Sequence, residues 1–184
     1  MFIHSELLIL LALTLGGQVR TGKIIGGHKA AAHSRPYMVL LKTEMDDGTT
    51  KHCGGFLLNE DFVMTAAHCQ ARSYTVLLGV HNVKHNDEIQ RINVDQTFPH
   101  KDYNATNYKN DIMLLKLSSK ANFCENGDIG PGEGDSGGPL VCEDEKAYGV
   151  VSHKFKPDSG GQQIDCYAKI TDYSRWIYLT MTKA

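Results

Sequence analysis

Short apolar segments separated by turn residues predict an all-β fold, a barrel or a sandwich, closed by one helix. Two observations carry this reading. Six segments of four to seven residues between positions 37 and 117 are rich in β-branched, aromatic and leucine side chains and alternate with turn-forming stretches. The 184-residue chain is 41% hydrophobic and 22% charged, the balance of a folded globular protein, which excludes a disordered or collagen-like chain. Its 19 basic and 21 acidic residues leave a net charge of −2, so it lacks the cationic excess that phosphate contacts require, and nucleic acid is not an expected partner.

Taken in order, the chain opens on a nine-residue apolar run, Leu7 to Leu15, followed by Gly16-Gly17. This is the layout of a secretory signal peptide and is too short to span a bilayer. Residues 1–23 are therefore assigned to a signal peptide and short propeptide, although the flank before the run carries no Lys or Arg. The six expected strands are Tyr37 to Lys42, His52 to Leu58, Phe62 to Thr65, Tyr74 to Val80, Ile89 to Val94 and Ile112 to Leu117. Asp47-Gly48 supplies a hairpin turn between the first two. Beyond Ala121 the texture changes: Glu125 to Gly134 holds four glycines and a proline, and only Pro139 to Val141, Tyr148 to Ser152 and Tyr167 to Ile170 read as strands. Asp172 or Ser174 is expected to cap a closing helix whose Trp176, Ile177 and Thr180 share one face.

Five cysteines, at 53, 69, 124, 142 and 166, follow the signal, an odd number for a secreted chain that oxidises them in pairs. None forms a CxxC pair and no HExxH occurs, so neither a metal nor any other cofactor is expected. Asn104-Ala105-Thr106 is a sequon that offers Asn104 as a glycan acceptor.

Three segments carry chemistry. Thr65-Ala66-Ala67-His68-Cys69 ends a strand on a histidine, Asn110-Asp111-Ile112 opens a strand on an aspartate, and Gly134-Asp135-Ser136-Gly137-Gly138-Pro139 sets a serine in a glycine-rich turn. Acyl transfer needs these three side chains, because a serine hydroxyl attacks only when a histidine takes its proton, and a buried carboxylate must fix that histidine's tautomer. The glycines leave the N–H groups of Gly134 and Ser136 free to approach a developing oxyanion. Each segment alone also fits an ordinary turn or strand end.

Together, TAAHC, NDIMLLKL and GDSGGPLVC resemble the signature segments of the chymotrypsin-like serine proteases, and the likeness runs from Ile24 to the C-terminus. It implies a secreted serine-type endopeptidase with a double β-barrel, a first barrel over 24–120 and a second over 121–184, acting on protein or peptide substrates and open to serine protease inhibitors. Lys23-Ile24-Ile25-Gly26-Gly27 resembles the zymogen activation site, where cleavage frees the Ile24 amino group to pair with Asp135. Cys53 and Cys69 match the family's first disulfide. The short stretch before Ile24, and Gly132 where many members have cysteine, are similar to the granule-stored group of granzymes, chymases and duodenases, which implies secretion or storage in granules. Alignment to that group puts Gly130 at the floor of the specificity pocket, Asp165 on its wall, and Ser152 to Lys154 beside the substrate backbone. A mixed preference for basic and aromatic side chains follows, although Asp165 reads equally as a solvated loop carboxylate and Lys154 stands where glycine is usual.

The family pattern also exposes a deficit. Asp111 and Ser136 are 25 residues apart, whereas the triad template separates them by roughly 90. Roughly 65 residues that would build the opening strands of the second barrel are absent, and the expected partners of Cys124 and Cys142 are absent with them, while Cys166 has no standard partner. The second barrel is therefore expected to be incomplete. Two functions compete: a working endopeptidase, and a truncated product, degraded or acting as a decoy that binds substrates or inhibitors without turnover.

Overall fold

A computed structural model of the chain describes residues 35–80, 89–122, 136–141, 146–155 and 164–184. Six antiparallel strands, β1 (Met38–Glu44), β2 (Thr50–Leu57), β3 (Phe62–Thr65), β4 (Ser73–Leu78), β5 (Gln90–Pro99) and β6 (Met113–Leu117), close into a barrel in the order β1-β2-β3-β6-β5-β4. A three-stranded antiparallel sheet follows, β7 (Pro139–Val141), β8 (Ala147–Phe155) and β9 (Ile164–Lys169), and then the helix α1 (Ser174–Lys183). The fold is thus mostly strand, with one complete barrel, one partial one and a terminal helix.

Local sequence explains the elements. In β1 the buried positions alternate, Val39, Leu41 and Thr43 pointing inward, as the two-residue period of a strand requires. The inward hydroxyl of Thr43 is satisfied by the Lys51 carbonyl at 3.1 Å. The β1–β2 hairpin turns where Gly48 takes φ +78° and Asp47 Oδ1 accepts from the Thr49 N–H and hydroxyl. Strands β3 and β6 are buried almost throughout, and Val150 of β8 and Ala168 of β9 join the same buried cluster as Val63, Met64, Leu114 and Leu115.

Several expectations need correcting: β8 runs on to Phe155 rather than ending at Ser152, and β9 begins at Ile164 rather than Tyr167 and ends before Ile170. Strand β5 runs to Pro99 rather than ending at Val94, because a bulge between Val94 and Gln96 absorbs one residue and pairing with β6 resumes at Gln96. Neither Asp172 nor Ser174 caps the helix. A 3₁₀ turn over Ile170–Tyr173 leads straight into it, Tyr173 occupies the N-cap without a side-chain bond, and the Ser174 hydroxyl turns back to the Thr171 carbonyl at 2.9 Å. The expected inner face of α1 is observed: Trp176 and Ile177 pack against the core, and Trp176 lies 5.2 Å from the His100 ring.

Candidate active site

The pairing register brings His68 and Asp111 together. Thr65, the last residue of β3, pairs with Met113, the first of β6. His68 lies three residues beyond the one and Asp111 two before the other, so both emerge at the same end of adjacent strands. His68 sits in a 3₁₀ turn, Ala67–Cys69, closed by the Cys69 N–H on the Ala66 carbonyl at 3.2 Å. The Cys53–Cys69 disulfide ties that turn to β2. On the other side, Asn110 takes φ +57°, a left-handed conformation that asparagine tolerates better than most residues. Its side chain is held by the Asp102 carbonyl at 2.8 Å and by the Tyr173 hydroxyl at 3.4 Å, and the reversal turns Asp111 inward.

Asp111 is 1% exposed and accepts three hydrogen bonds. Its Oδ1 takes the His68 backbone N–H at 2.8 Å, and its Oδ2 takes His68 Nδ1 at 2.8 Å and the Ser152 hydroxyl. Burial alone would push this carboxyl up, but the bonds from His68 and Ser152 outweigh it and hold the group below its ordinary value, as an anion. A carboxylate can only accept, so His68 carries its proton on Nδ1 and presents Nε2 as the free base.

Ser136 arrives from the partial sheet. Its carbonyl accepts the Gly54 N–H of β2 at 2.7 Å and lies 3.9 Å from Cys69 Sγ, placing the serine loop against the His68 turn. Gly137 donates to Val151 at 2.8 Å, and Val151 donates to Gly138 at 2.9 Å, which fastens the loop to β8. Gly137 has φ +85°, and a Cβ there would come within 2.2 Å of Thr65 Oγ1 and 2.5 Å of the Gly54 carbonyl oxygen, so only glycine lets the loop approach this closely. Among the described residues, no hydrogen bond joins Ser136 Oγ to His68. The base and its carboxylate are linked, while the serine is docked beside them by its backbone.

The remaining expected residues divide. Ser152, expected beside the substrate, is buried and gives its hydroxyl to Asp111. Lys154 is exposed on β8, with Asp165 opposite it on β9. Asn104 lies on an exposed loop, its Oδ1 accepting the Thr106 N–H at 2.8 Å. Cys166 is a half-buried free thiol. Ile24, Cys124, Gly130, Gly132, Gly134, Asp135 and Cys142 lie outside the described residues. Cys53, His68 and Cys69 cluster within 4.8 Å, but both sulfurs are spent in the disulfide and cannot ligate a metal.

Tyr108, which the sequence reading did not single out, and His153, named there only within the segment Ser152 to Lys154, complete the surroundings. Tyr108 stacks on His153 with centroids 4.6 Å apart and planes 16° from parallel, and it presents an edge-on contact to His68 at 6.0 Å. His153 Nδ1 lies 3.1 Å from Ser152 Oγ.

Comparison with known proteins agrees with this architecture. The family model described as Trypsin matches residues 24–129 and, in a second piece, 122–177. The chain is 33% identical to granzyme B(G,H) of Mus musculus over 246 aligned positions, covering 95% of this chain and 98% of the relative. It is 33% identical to duodenase-1 of Bos taurus over 247 positions, 96% of each chain. To granzyme B of Homo sapiens the identity is 50% over 118 positions, which cover 64% of this chain and 47% of the relative. A solved structure described as "Structure of GrC" superposes with a TM-score of 0.73 at 29% identity, covering 85% of this chain and 99% of that one. In the first of these alignments 95% of 184 residues is about 175, so about 71 of the 246 positions have no counterpart here.

Proposed function

This chain belongs to the trypsin family of serine endopeptidases, and from that premise we propose that its peptide-bond hydrolysis runs through Ser136, His68 and Asp111. Ser136 Oγ attacks the carbonyl carbon as its proton passes to His68 Nε2. His68 then returns the proton to the leaving amine, an acyl ester forms on Ser136, and water reverses the sequence to release the acid. Asp111 holds the imidazole through Nδ1 and stabilises its cation, while the N–H groups of Gly134 and Ser136 receive the oxyanion. The observation that carries this reading is the 2.8 Å bond between His68 Nδ1 and a buried, anionic Asp111.

The finer assignments belong to the same proposal. Processing before Ile24 frees an amino group for Asp135, and Gly130 with Asp165 shapes a pocket for basic or aromatic side chains. Lys154 narrows its entrance. Export through the secretory pathway, to storage granules or to the outside, is supported by the Leu7 to Leu15 run and by the Cys53–Cys69 disulfide, a bond that persists in oxidising compartments. Among the described residues no helix is long and apolar enough to cross a membrane. The partners are peptide and protein substrates and serine protease inhibitors.

A second reading, capture of substrates or inhibitors without turnover, is favoured by one observation: Ser136 makes no hydrogen bond to His68 and stands on a partial sheet. Active-site titration separates the two. The chain processed to Ile24 is mixed with a fluorophosphonate and compared with a version in which the roughly 70 absent positions are restored. A stoichiometric burst from the shorter chain supports the triad as it stands. Labelling confined to the restored chain rejects turnover by the shorter one and leaves its non-catalytic reading.

A further inference from the structure

His68 and His153 belong to one closed ring of contacts. The ring runs from His68 Nδ1 to Asp111 Oδ2 at 2.8 Å, through the Ser152 hydroxyl bonded to the same oxygen, to His153 Nδ1 at 3.1 Å from Ser152 Oγ. It returns through Tyr108, stacked on His153 and edge-on to His68. Ser152 has one proton and two neighbours that could accept it, a carboxylate and an imidazole nitrogen. The carboxylate is the stronger acceptor, because a bond to an ionised group is roughly twice as strong as one between neutral groups. The Ser152 proton is therefore spent on Asp111, and the contact with His153 survives as a hydrogen bond only if His153 Nδ1 is the donor.

We propose that His153 is a positioning residue for the His68–Asp111 pair: its Nδ1–H, given to Ser152 Oγ, locks the serine proton onto Asp111, and its ring buttresses Tyr108 against His68. The proposal rests on the catalytic reading of His68 and Asp111 given above. The groups that face His153 are Tyr108 on its ring face, Ser152 with Asp111 behind it, Cys166 opposite on β9, and Lys154 next along β8. Donation into Ser152 Oγ polarises its O–H bond and strengthens what Asp111 receives from that side. Without it, more of the charge on Oδ2 is left to the His68 Nδ1 proton, and that bond tightens.

Nitrogen NMR of the full chain, labelled in its imidazoles and held near pH 8 so that free histidine is neutral, reads the tautomer directly. Protonated Nδ1 on His153 is expected; a neutral His153 protonated on Nε2 overturns the proposal without any variant being made. Two variants then separate donor from ring. His153→Phe keeps a flat ring on Tyr108 and loses the donor, so the His68 Nδ1 proton resonance moves downfield. His153→Asn keeps a donor and loses the ring, and the resonance stays near the unaltered position. Equal resonances in both variants and the unaltered chain overturn the donor role. None of these readings needs turnover: a chain that fails active-site titration but carries the proton on His153 Nδ1 rejects the endopeptidase reading and supports this one.

Discussion

Replacing Gly137 by alanine tests how Ser136 is held. Two effects combine at this position. The first is conformational: φ is +85°, where a Cβ costs about 1 kcal/mol relative to glycine. The second is steric, because the new Cβ would sit 2.2 Å from Thr65 Oγ1 and 2.5 Å from the Gly54 carbonyl oxygen. Neither neighbour yields easily. Thr65 is fully buried with its hydroxyl bonded to that same carbonyl at 2.8 Å, and Gly54 lies within β2. The loop must lift instead, breaking the Gly54–Ser136 and Gly137–Val151 bonds, each with a net contribution of about 0.5 to 1.5 kcal/mol. A total loss of about 2 to 4 kcal/mol follows. Gly48→Ala is the matched control, since Gly48 has φ +78° with nothing within 4 Å of a built Cβ and therefore isolates the conformational part. Urea unfolding of both variants measures the difference, expected at about 1 to 3 kcal/mol. Fluorophosphonate labelling of Ser136 should fall about a hundredfold in Gly137→Ala if the serine shifts by an ångström. Equal stability of the two variants, with unchanged labelling, would refute the docking argument.

Other expectations follow from the same geometry. Removing the disulfide as Cys53→Ala/Cys69→Ala should lower unfolding free energy by about 2 to 4 kcal/mol, because the bond closes a 16-residue separation; a midpoint within error of the parent chain in urea contradicts this. Asp111 is held below its ordinary carboxylate value of 3.8, so its contribution to stability is complete above that value and disappears as pH falls through the lower folded-state value. In Asp111→Asn that part of the acid-unfolding curve flattens, and an unchanged acid limb means the carboxylate is not held as described. Blocking activation with Lys23→Gln should abolish labelling by leaving the Ile24 amino group in peptide linkage, and equal labelling of precursor and processed chain rules out the Asp135 pairing.

What the sequence reveals depends on whether the cause is local. Phe62–Thr65 and Pro139–Val141 coincide with strands β3 and β7 because apolar runs bounded by turn residues leave little freedom in placing them. The second half of β5 is hidden, since Asp95, Gln96 and Thr97 are polar and exposed and the bulge before Gln96 breaks the alternation. The three chemistry-bearing segments are legible because a nucleophile, its base and an orienting acid have strict requirements of residue type. The ring of Tyr108, His153 and Ser152 is not legible: Tyr108 lies in a loop at φ +54°, His153 in a strand, and only the packing of sheet against barrel brings them together. Ser152 shows the same limit. Its hydroxyl faces into the protein, toward a carboxylate 41 residues away in sequence.

The partial sheet is anchored on the complete barrel. Its buried side packs Val150 and Ala168 into the barrel's core cluster, and its loop is bonded to β2 through Ser136. Its strand β8 reaches Asp111 through Ser152. Helix α1 adds a clamp, with Trp176 and the preceding Tyr173 against His100 and the Ala184 carbonyl receiving the Lys116 ammonium. Leu140, Tyr148, Phe155 and Tyr167, by contrast, are exposed large hydrophobics on these same three strands. The anchors that place Ser136 and Asp111 therefore lie between sheet and barrel, while the exposed large hydrophobics lie on the partial sheet. Incompleteness should then act on folding and solubility through open strand edges and apolar surface before it acts on the His68–Asp111 geometry. A chain that folds at low yield, yet contains a labelled fraction equal to its folded fraction, is the outcome this division of labour requires.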